Sequence, residues 1–319
     1  MGEHGRMRDD VITWLLGGDP SVRWQVMRDL QDAPDDAVAT ERARVATEGW
    51  GARLLAEQGD DGYWGGQVYG SSRERNSVMW TLQVLRNLGA PPEAAPVRAA
   101  IDRVVDGVVW AEFDDLPYFS GEVEECVNGG VLANAAYFGV LGAGSDRIVA
   151  RLLDETLPDG GWNCEPADES QRSSFDSTLC VVEGLLAYER ATGSTDAAVT
   201  DARRGGEEYL LERSLFRRKS TGELVKPRYT NFSFPTYWFY DVLRALDHFR
   251  DAGGRPDARL RPALDLVLSQ RDDDGRWRAG ERWPGRDRYE IDAPAGEPSP
   301  WNTLRALRVL RWADPASID

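Results

Sequence analysis

The sequence predicts an all-α fold, an (α/α)6 barrel or toroid of about six helical hairpins arranged in two concentric rings. Three observations predict it. A D-G-x-W turn recurs along the chain, an apolar segment of helix length follows each turn, and no period-2 run reaches the length of a convincing strand.

The turn occurs as DGYW (Asp61–Trp64), DGGW (Asp159–Trp162) and DGRW (Asp274–Trp277). Weaker echoes end at Trp110 (DGVVW) and Leu224 (STGEL). The endpoints 64, 110, 162, 224 and 277 are 46, 52, 62 and 53 residues apart. A drifting period of about fifty residues marks one supersecondary unit used repeatedly, with loops of variable length.

In chain order, the first hairpin is residues 8–18 and 19–33, where Asp19 suits an N-cap and Pro20 the first helical position. The second helices of the later pairs are read at 76–90, 125–143, 176–193, 235–254 and 300–312. They are apolar on more than one face and rich in small residues, and several end in Gly or Gly-Ala, the usual helix stop. First helices such as 97–109 and 261–270 carry charges at helical spacing and suit an outer, half-solvated ring. An open array of such pairs leaves apolar ends uncovered, so six pairs favour closure. The chain then reads as one domain over 1–319, with an N-terminal helix pair at 1–35 and turn-bearing repeats at 36–312. The inner helices are expected to start at one rim, their first residues lining a central mouth.

Composition narrows the function classes. The 319 residues exceed the ~100–200 of an ordinary domain, which a repetitive single domain accommodates. With 54 acidic against 38 basic residues the net charge is −16, which argues against nucleic acid or anionic lipid as the main partner. No apolar run approaches the roughly 18 residues of a membrane span, and the N-terminus lacks the pattern of a secretory signal. Cys126, Cys164 and Cys180 show no CxxC spacing, so neither a disulfide framework nor a structural zinc site is expected, and the cytoplasm is the simplest location. The 12 tryptophans stand out; aromatic faces can bind sugars, cations or polyenes.

The turns resemble the QW motif, Q-xxx-G-x-W, of the squalene–hopene cyclase, oxidosqualene cyclase and protein prenyltransferase superfamily. Gln58 to Trp64 fits it in full, Gln270 to Trp277 fits with one added residue, and the Trp162 copy has Thr156 near the place of the glutamine. The resemblance covers residues 40 to 312, nearly the whole chain. It implies a terpenoid-cyclase-like enzyme, an isomerase, that takes a small apolar, isoprenoid-like substrate and needs no cofactor or metal.

Squalene–hopene cyclases carry D-x-D-D-T at the start of an inner helix, shortly after a G-x-W turn, and its third residue is the Brønsted acid. SFDST (Ser174–Thr178) is similarly placed after DGGW, which puts Asp176 on the acid's position. Ser174 and Ser177 replace the flanking aspartates, so neighbours that could absorb charge are replaced by hydroxyls. Asp176 is equally suited to cap a helix. EVEECVNGGVL resembles the E-C-T stretch of the same cyclases and places Glu125 at the rim, where Glu122, Glu124 and Glu125 could equally be a charge cluster before a helix. Glu124-x-Cys126 is similar to the Asp-x-Cys part of the prenyltransferase zinc site. The chain has only His4 and His248 to complete one, however, and no metal site is expected.

Asp241, near Tyr237 and Trp238 on the helix read from 235, is the third candidate acid, with Arg228 or Arg172 as its partner. Trp80, Tyr118, Phe119, Tyr137, Tyr237, Trp238 and Trp301, with Arg228, are the candidate substrate-binding residues. The rings either line a cavity, where they stabilise a cation, or simply pack the core. DDDG (Asp272–Gly275) looks like a diphosphate-binding aspartate cluster but belongs to an outer turn. Two other readings stay open: a carbohydrate-active (α/α)6 enzyme with paired carboxylates, and a non-catalytic toroid that binds a partner.

Overall fold

The computed structural model describes residues 3–70, 76–165, 171–283, 285 and 290–314. Among them thirteen α-helices carry the fold. The inner ring is α2 (Pro20–Asp29), α5 (Val78–Leu88), α7 (Glu125–Phe138), α9 (Phe175–Thr192), α11 (Val242–Ala252) and α13 (Pro300–Ala313). Outside it lie α1 (Glu3–Leu16), α3 (Asp35–Ala43) with α4 (Gly49–Ala56), α6 (Ala95–Gly107), α8 (Ala143–Asp154), α10 (Ala197–Leu211) and α12 (Arg261–Ser269). The second outer helix is thus split in two by a 3-10 turn at Arg44–Ala46. Two-residue strands β1 (Val109–Trp110) and β2 (Leu116–Pro117) form a small antiparallel hairpin, the only named strands among the described residues.

The three D-G-x-W turns fold alike, and the cause is one hydrogen bond. Trp64, Trp162 and Trp277 are fully buried, and each indole N–H donates to the carbonyl ten residues earlier: Leu54, Leu152 and Val267, all at 2.7 Å. Those carbonyls lie in the last turns of outer helices, where intrahelical donors are few; Leu54 O and Val267 O have only long bonds from Glu57 and Gln270 N–H (3.3 and 3.2 Å). Gly62, Gly160 and Gly275 take positive φ (85°, 93° and 77°), which lets the chain turn under the ring. The tryptophan backbone then joins the next inner helix: Ser174 N–H donates to Trp162 O and Ser299 N–H to Trp277 O, both at 2.8 Å. Trp110 does otherwise. Its indole reaches forward to Tyr118 O within the small hairpin, so the DGVVW echo is not a copy of the turn.

Side chains cap the inner helices as the free N–H groups of a helix start require. Asp19, Ser77, Ser174, Asp241 and Ser299 accept from the N–H of Ser21, Trp80, Ser177, Arg244 and Asn302. Ser174, not Asp176, is therefore the cap of α9. Gly89, Gly139 and Gly193 end α5, α7 and α9 in the left-handed conformation. The small residues of α7 and α9 let their backbones meet. A Cβ on Gly129 would lie 2.4 Å from Cys180 O, and one on Gly184 would lie 2.4 Å from Gly129 O.

The ring closes where α13 packs on α2. Arg308 on α13 donates to Gln25 Oε1 (2.8 Å), lies 3.4 Å from Asp29 on α2, and also pairs with Asp247 on α11. Arg311 adds a bond to Asp29 O at 2.8 Å. One difference from the sequence reading concerns the fifth inner helix. It begins at Val242 and not near Pro235, because Asp241 caps it and Tyr237 sits at φ 52°. Residues 232–240 instead run as an irregular strap across the N-terminal parts of the inner helices. Gln83 Nε2 donates to Tyr237 O (2.7 Å), Asn302 Nδ2 to Phe232 O (2.8 Å), and Tyr240 N–H to Asp176 Oδ1 (2.9 Å). Phe234 stacks on Trp301 at 4.1 Å, and Tyr237 meets Trp80 edge-on at 5.6 Å.

Candidate functional site: an arginine-lined central cavity

A cavity of about 600 Å³ lies on the axis, reached from the C-terminal halves of the inner helices. That volume falls within the ~300–1,000 Å³ of small-molecule sites. Every inner helix contributes: Gln25, Arg86, Tyr137, Glu183, Arg244 and Arg308 are examples, one from each of α2, α5, α7, α9, α11 and α13. Ala133, Ala136, Leu186 and Ala187 give an apolar wall. The stacked rings of Phe234 and Trp301, with Thr236, come from the strap side. The expected mouth at the other rim is not where this cavity opens. There the strap is buried among the first turns of the inner helices, Phe232 to Tyr237 included.

The wall is rich in guanidinium groups. Eight arginines line it, against three carboxylates, Glu183, Asp247 and Asp251. Arg244 forks onto Glu183 (Nε–Oε1 2.9 Å, Nη2–Oε2 2.7 Å) and also donates to Tyr237 O and Phe239 O of the strap. Burial by itself would raise the pKa of Glu183, but the charge and hydrogen bonds of Arg244 outweigh it and hold the carboxyl below its usual range. Asp247 is held low in the same way, burial being outweighed by Arg308 and Arg250. Asp251 pairs with Arg190 at 2.9 Å. His248 also lines the cavity; it is buried, with Nε2 3.0 Å from Glu207 Oε1.

Of the candidate binding residues, Tyr137 and Trp301 line this cavity. The Tyr137 hydroxyl donates to Ala90 O (2.8 Å) and accepts from Arg42 (3.0 Å). Trp80 and Tyr237 are buried against each other at the strap, and half-buried Trp238 packs on Phe239. Tyr118 and Phe119 are core residues beside the hairpin, the Tyr118 ring stacked on Trp110 at 5.7 Å. Arg228 pairs with Glu281 (3.1 Å) and lies over the Trp283 ring at 4.2 Å. None of these last six is among the lining residues. The single sequence expectation of an aromatic-walled mouth thus divides into two places.

The three candidate acids also separate. Asp176, second residue of α9, accepts from the Tyr229 hydroxyl (2.8 Å) and the Tyr240 N–H, with Lys226 Nζ at 3.6 Å. Glu125 opens α7 and pairs with Arg151 of α8 at 3.6 Å; burial raises its pKa. The partners of both lie off the cavity wall. Asp241 is fully buried and its partner is Arg305 (3.5 Å), not Arg228 or Arg172. Burial raises its pKa against the pull of Arg305, and its Oδ2 has no hydrogen-bond partner. Since Arg305 and Arg244 both line the cavity, Asp241 stands directly behind the wall.

At the opposite rim, ligand atoms of Glu124, Cys126 and Cys164 lie within 4.8 Å of one another. Cys164 supplies the third group that the two histidines could not. The contact with Cys164 and burial both raise the Cys126 pKa. Asp272, in the DDDG stretch, accepts from the N–H groups of Asp274 and Arg276 and so shapes an outer turn.

The arginines are what sequence reasoning missed, and a signal for them existed. Leu85-Arg-Asn-Leu88, Leu243-Arg-Ala-Leu246 and Leu304-Arg-Ala-Leu307 place an arginine in the same apolar frame on three inner helices. An ion inside an otherwise apolar helix is costly without a purpose.

Fold and site together define an (α/α)6 toroid with a polar, cationic central chamber. Among solved structures the chain is similar to a protein from Actinoplanes (18% identity, TM-score 0.47, covering 97% of this chain and 99% of that one). It is also similar to the type II terpene cyclase MstE from Scytonema, in its apo form (16% identity, TM-score 0.45, 100% of each chain). A variant of the same cyclase, in complex with geranylgeranyl dihydroxybenzoate as substrate, gives 17% identity and a TM-score of 0.44 over 98% of this chain and 97% of that one. No family model matches the chain, and no curated protein does.

Proposed function

We propose that the protein is a terpenoid-cyclase-like enzyme that takes a small isoprenoid-like ligand into the central cavity. The observation that supports this is the chamber itself. It is open towards the C-terminal ends of the inner helices and floored by the stacked Phe234 and Trp301, and α7 and α9 line it with alanine and leucine. A chain of methyl-branched alkene has apolar wall and ring faces to lie against. The isoprenoid character rests on the QW-like turns, and proton-initiated cyclisation is the chemistry that resemblance implies.

On this reading the starting proton comes from a carboxyl near the strap. Asp176 is the acid the motif nominates. Asp241 is the one whose partners line the chamber, and burial shifts its carboxyl towards the protonated form. Glu125 belongs to the rim beyond the strap. The test is incubation with linear prenyl substrates, with product analysis, for wild type, Asp176→Asn and Asp241→Asn. Product from wild type that is lost in one folded variant assigns the acid. Absence of product from every substrate refutes cyclisation, and full activity in both variants refutes both acids.

No observation favours the glycosidase reading. It needs one protonated carboxyl in the wall, whereas Glu183 and Asp247 are each gripped by arginine and held low.

A further inference from the structure

The chain has a net charge of −16, yet its central chamber carries a formal excess of five positive charges, with His248 taken as neutral. Fifty-four acidic residues were available to the sequence, and only three reach the wall. Each of the three is already matched: Glu183 by Arg244, Asp247 by Arg308 and Arg250, Asp251 by Arg190.

Of the other four arginines, Arg28 pairs with Asp29 and Arg42 donates to Gly89 O and the Tyr137 hydroxyl, which leaves Arg86 and the incompletely partnered Arg305. Arg86, on α5, lines the chamber, and its guanidinium has neither a hydrogen bond nor an ion pair among the described residues. Burial lowers its pKa, and its charged neighbours Glu183 and Arg244 act on it with opposite sign. Arg305, on α13, is 4% exposed; its Nη1 has no partner, and its nearest carboxylate is Asp241 at 3.5 Å. The two are linked through shared neighbours: Arg86 and Arg244 both feel Glu183, and Arg244 and Arg305 both contact Asp241. All three sit in L-R-x-L frames, as does Arg308 in Leu307–Leu310, so one local design is repeated around the axis.

Half-buried Arg86 turns its unused donors to the chamber, and Arg305 has a buried donor, Nη1, that has lost water and gained nothing, an unfavourable state for a guanidinium. Its planar fork matches a carboxylate or phosphate two bonds at a time. We infer that the chamber holds its ligand by an anionic head group, a carboxylate or a phosphate, received by Arg86 and Arg305. Arg244 is fixed beside them by Glu183. This rests on the central chamber being the ligand site, as proposed above, and adds the head group to the isoprenoid tail. The apolar wall of Ala133, Ala136, Leu186 and Ala187 takes the tail, and the arginines select ligands that bear a charge.

The experiment measures binding to the full chain by calorimetry, with farnesyl diphosphate, farnesoic acid, farnesol and inorganic pyrophosphate as probes. Wild type is compared with Arg86→Gln and Arg86→Lys. A charged prenyl probe is expected to bind at least about tenfold more tightly than farnesol, the factor one added charge-assisted contact supplies. Raising the salt concentration weakens its binding, and Arg86→Gln narrows the gap between it and farnesol. Arg86→Lys, which keeps the charge and loses the fork, falls between. The better of diphosphate and carboxylate identifies the head group. Farnesol binding as tightly as both anions, or an unchanged gap in Arg86→Gln, overturns the head-group inference and leaves the isoprenoid reading standing. Pyrophosphate binding as tightly as the prenyl diphosphate overturns the isoprenoid reading alone. Failure of all four probes overturns both. Since Arg86 has no partner to strand, Arg86→Gln is expected to unfold no earlier than wild type, which a denaturation curve checks.

Discussion

Gly129 and Gly130 are neighbours on α7, and the structure assigns them opposite responses to a methyl group. A Cβ at Gly129 would sit 2.4 Å from Cys180 O, 2.6 Å from its carbonyl carbon and 2.8 Å from Val181 N, all backbone atoms of α9. None of these can rotate away, so the two helices must part. Overpacking of this kind costs about 1–3 kcal/mol, offset by the roughly 1 kcal/mol that alanine gains over glycine inside a helix. Since α7 meets α9 along much of its length, with Gly184 Cβ equally close to Gly129 O, the upper part of that range applies. A Cβ at Gly130 meets only Met79 Cε, at 2.8 Å, the free end of a flexible side chain. There the helix gain prevails. Gly129→Ala is therefore expected to lose about 2 kcal/mol, and Gly130→Ala to be neutral or gain up to about 1 kcal/mol. Urea unfolding followed by circular dichroism reads the difference. Equal midpoints for the two variants would refute the claim that backbone contact holds α7 to α9.

Trp162→Phe removes the indole donor to Leu152 O and leaves that carbonyl only the longer bond from the Thr156 hydroxyl (3.2 Å), an expected cost of about 1 kcal/mol before any loss of packing; chemical denaturation measures it. Ser174→Ala removes the cap of α9 and is expected to cost about 1 kcal/mol, whereas Asp176, which caps nothing, gives no such helix-end loss. Arg308→Gln breaks the buried pair with Asp247 and is expected to cost about 3 kcal/mol, seen as a lower thermal midpoint. Asp292 has its pKa pushed up to about 6, mainly by burial, so the native state holds a proton that the unfolded chain releases near 4. Stability should fall as pH rises from about 4 to 6, and Asp292→Asn should flatten that slope in unfolding curves taken across the window.

The turns made the fold legible. A tryptophan ten residues beyond a helix-end carbonyl is a local device, and the repeat phase then located the inner helices to within a few residues. The site was harder because it depends on which way an irregular segment runs. Residues 235–240 have the apolar pattern of a helix start, yet Asp241 competes for the cap and the preceding rings pack better across the barrel end. Once the strap fills that end, Trp80 and Tyr237 become its packing, and Asp176 becomes an acceptor for Tyr229 and Tyr240. Nothing local in SFDST announces partners more than fifty residues away. The arginines were visible as the L-R-x-L frames, but an apolar reading of inner helices treats such a residue as a blemish rather than a clue.

Arg308 joins the first hairpin to the last, so the chamber wall is assembled from residues 283 positions apart in the chain. Until α13 docks, the wall contributed by α2 has no facing partner and the leftover guanidinium groups lie open to water. An anion that binds the finished chamber would then favour the closed ring over any state in which it is breached. Ligand occupancy and ring integrity become one equilibrium, so a probe's affinity can serve as a gauge of how firmly the circle is shut.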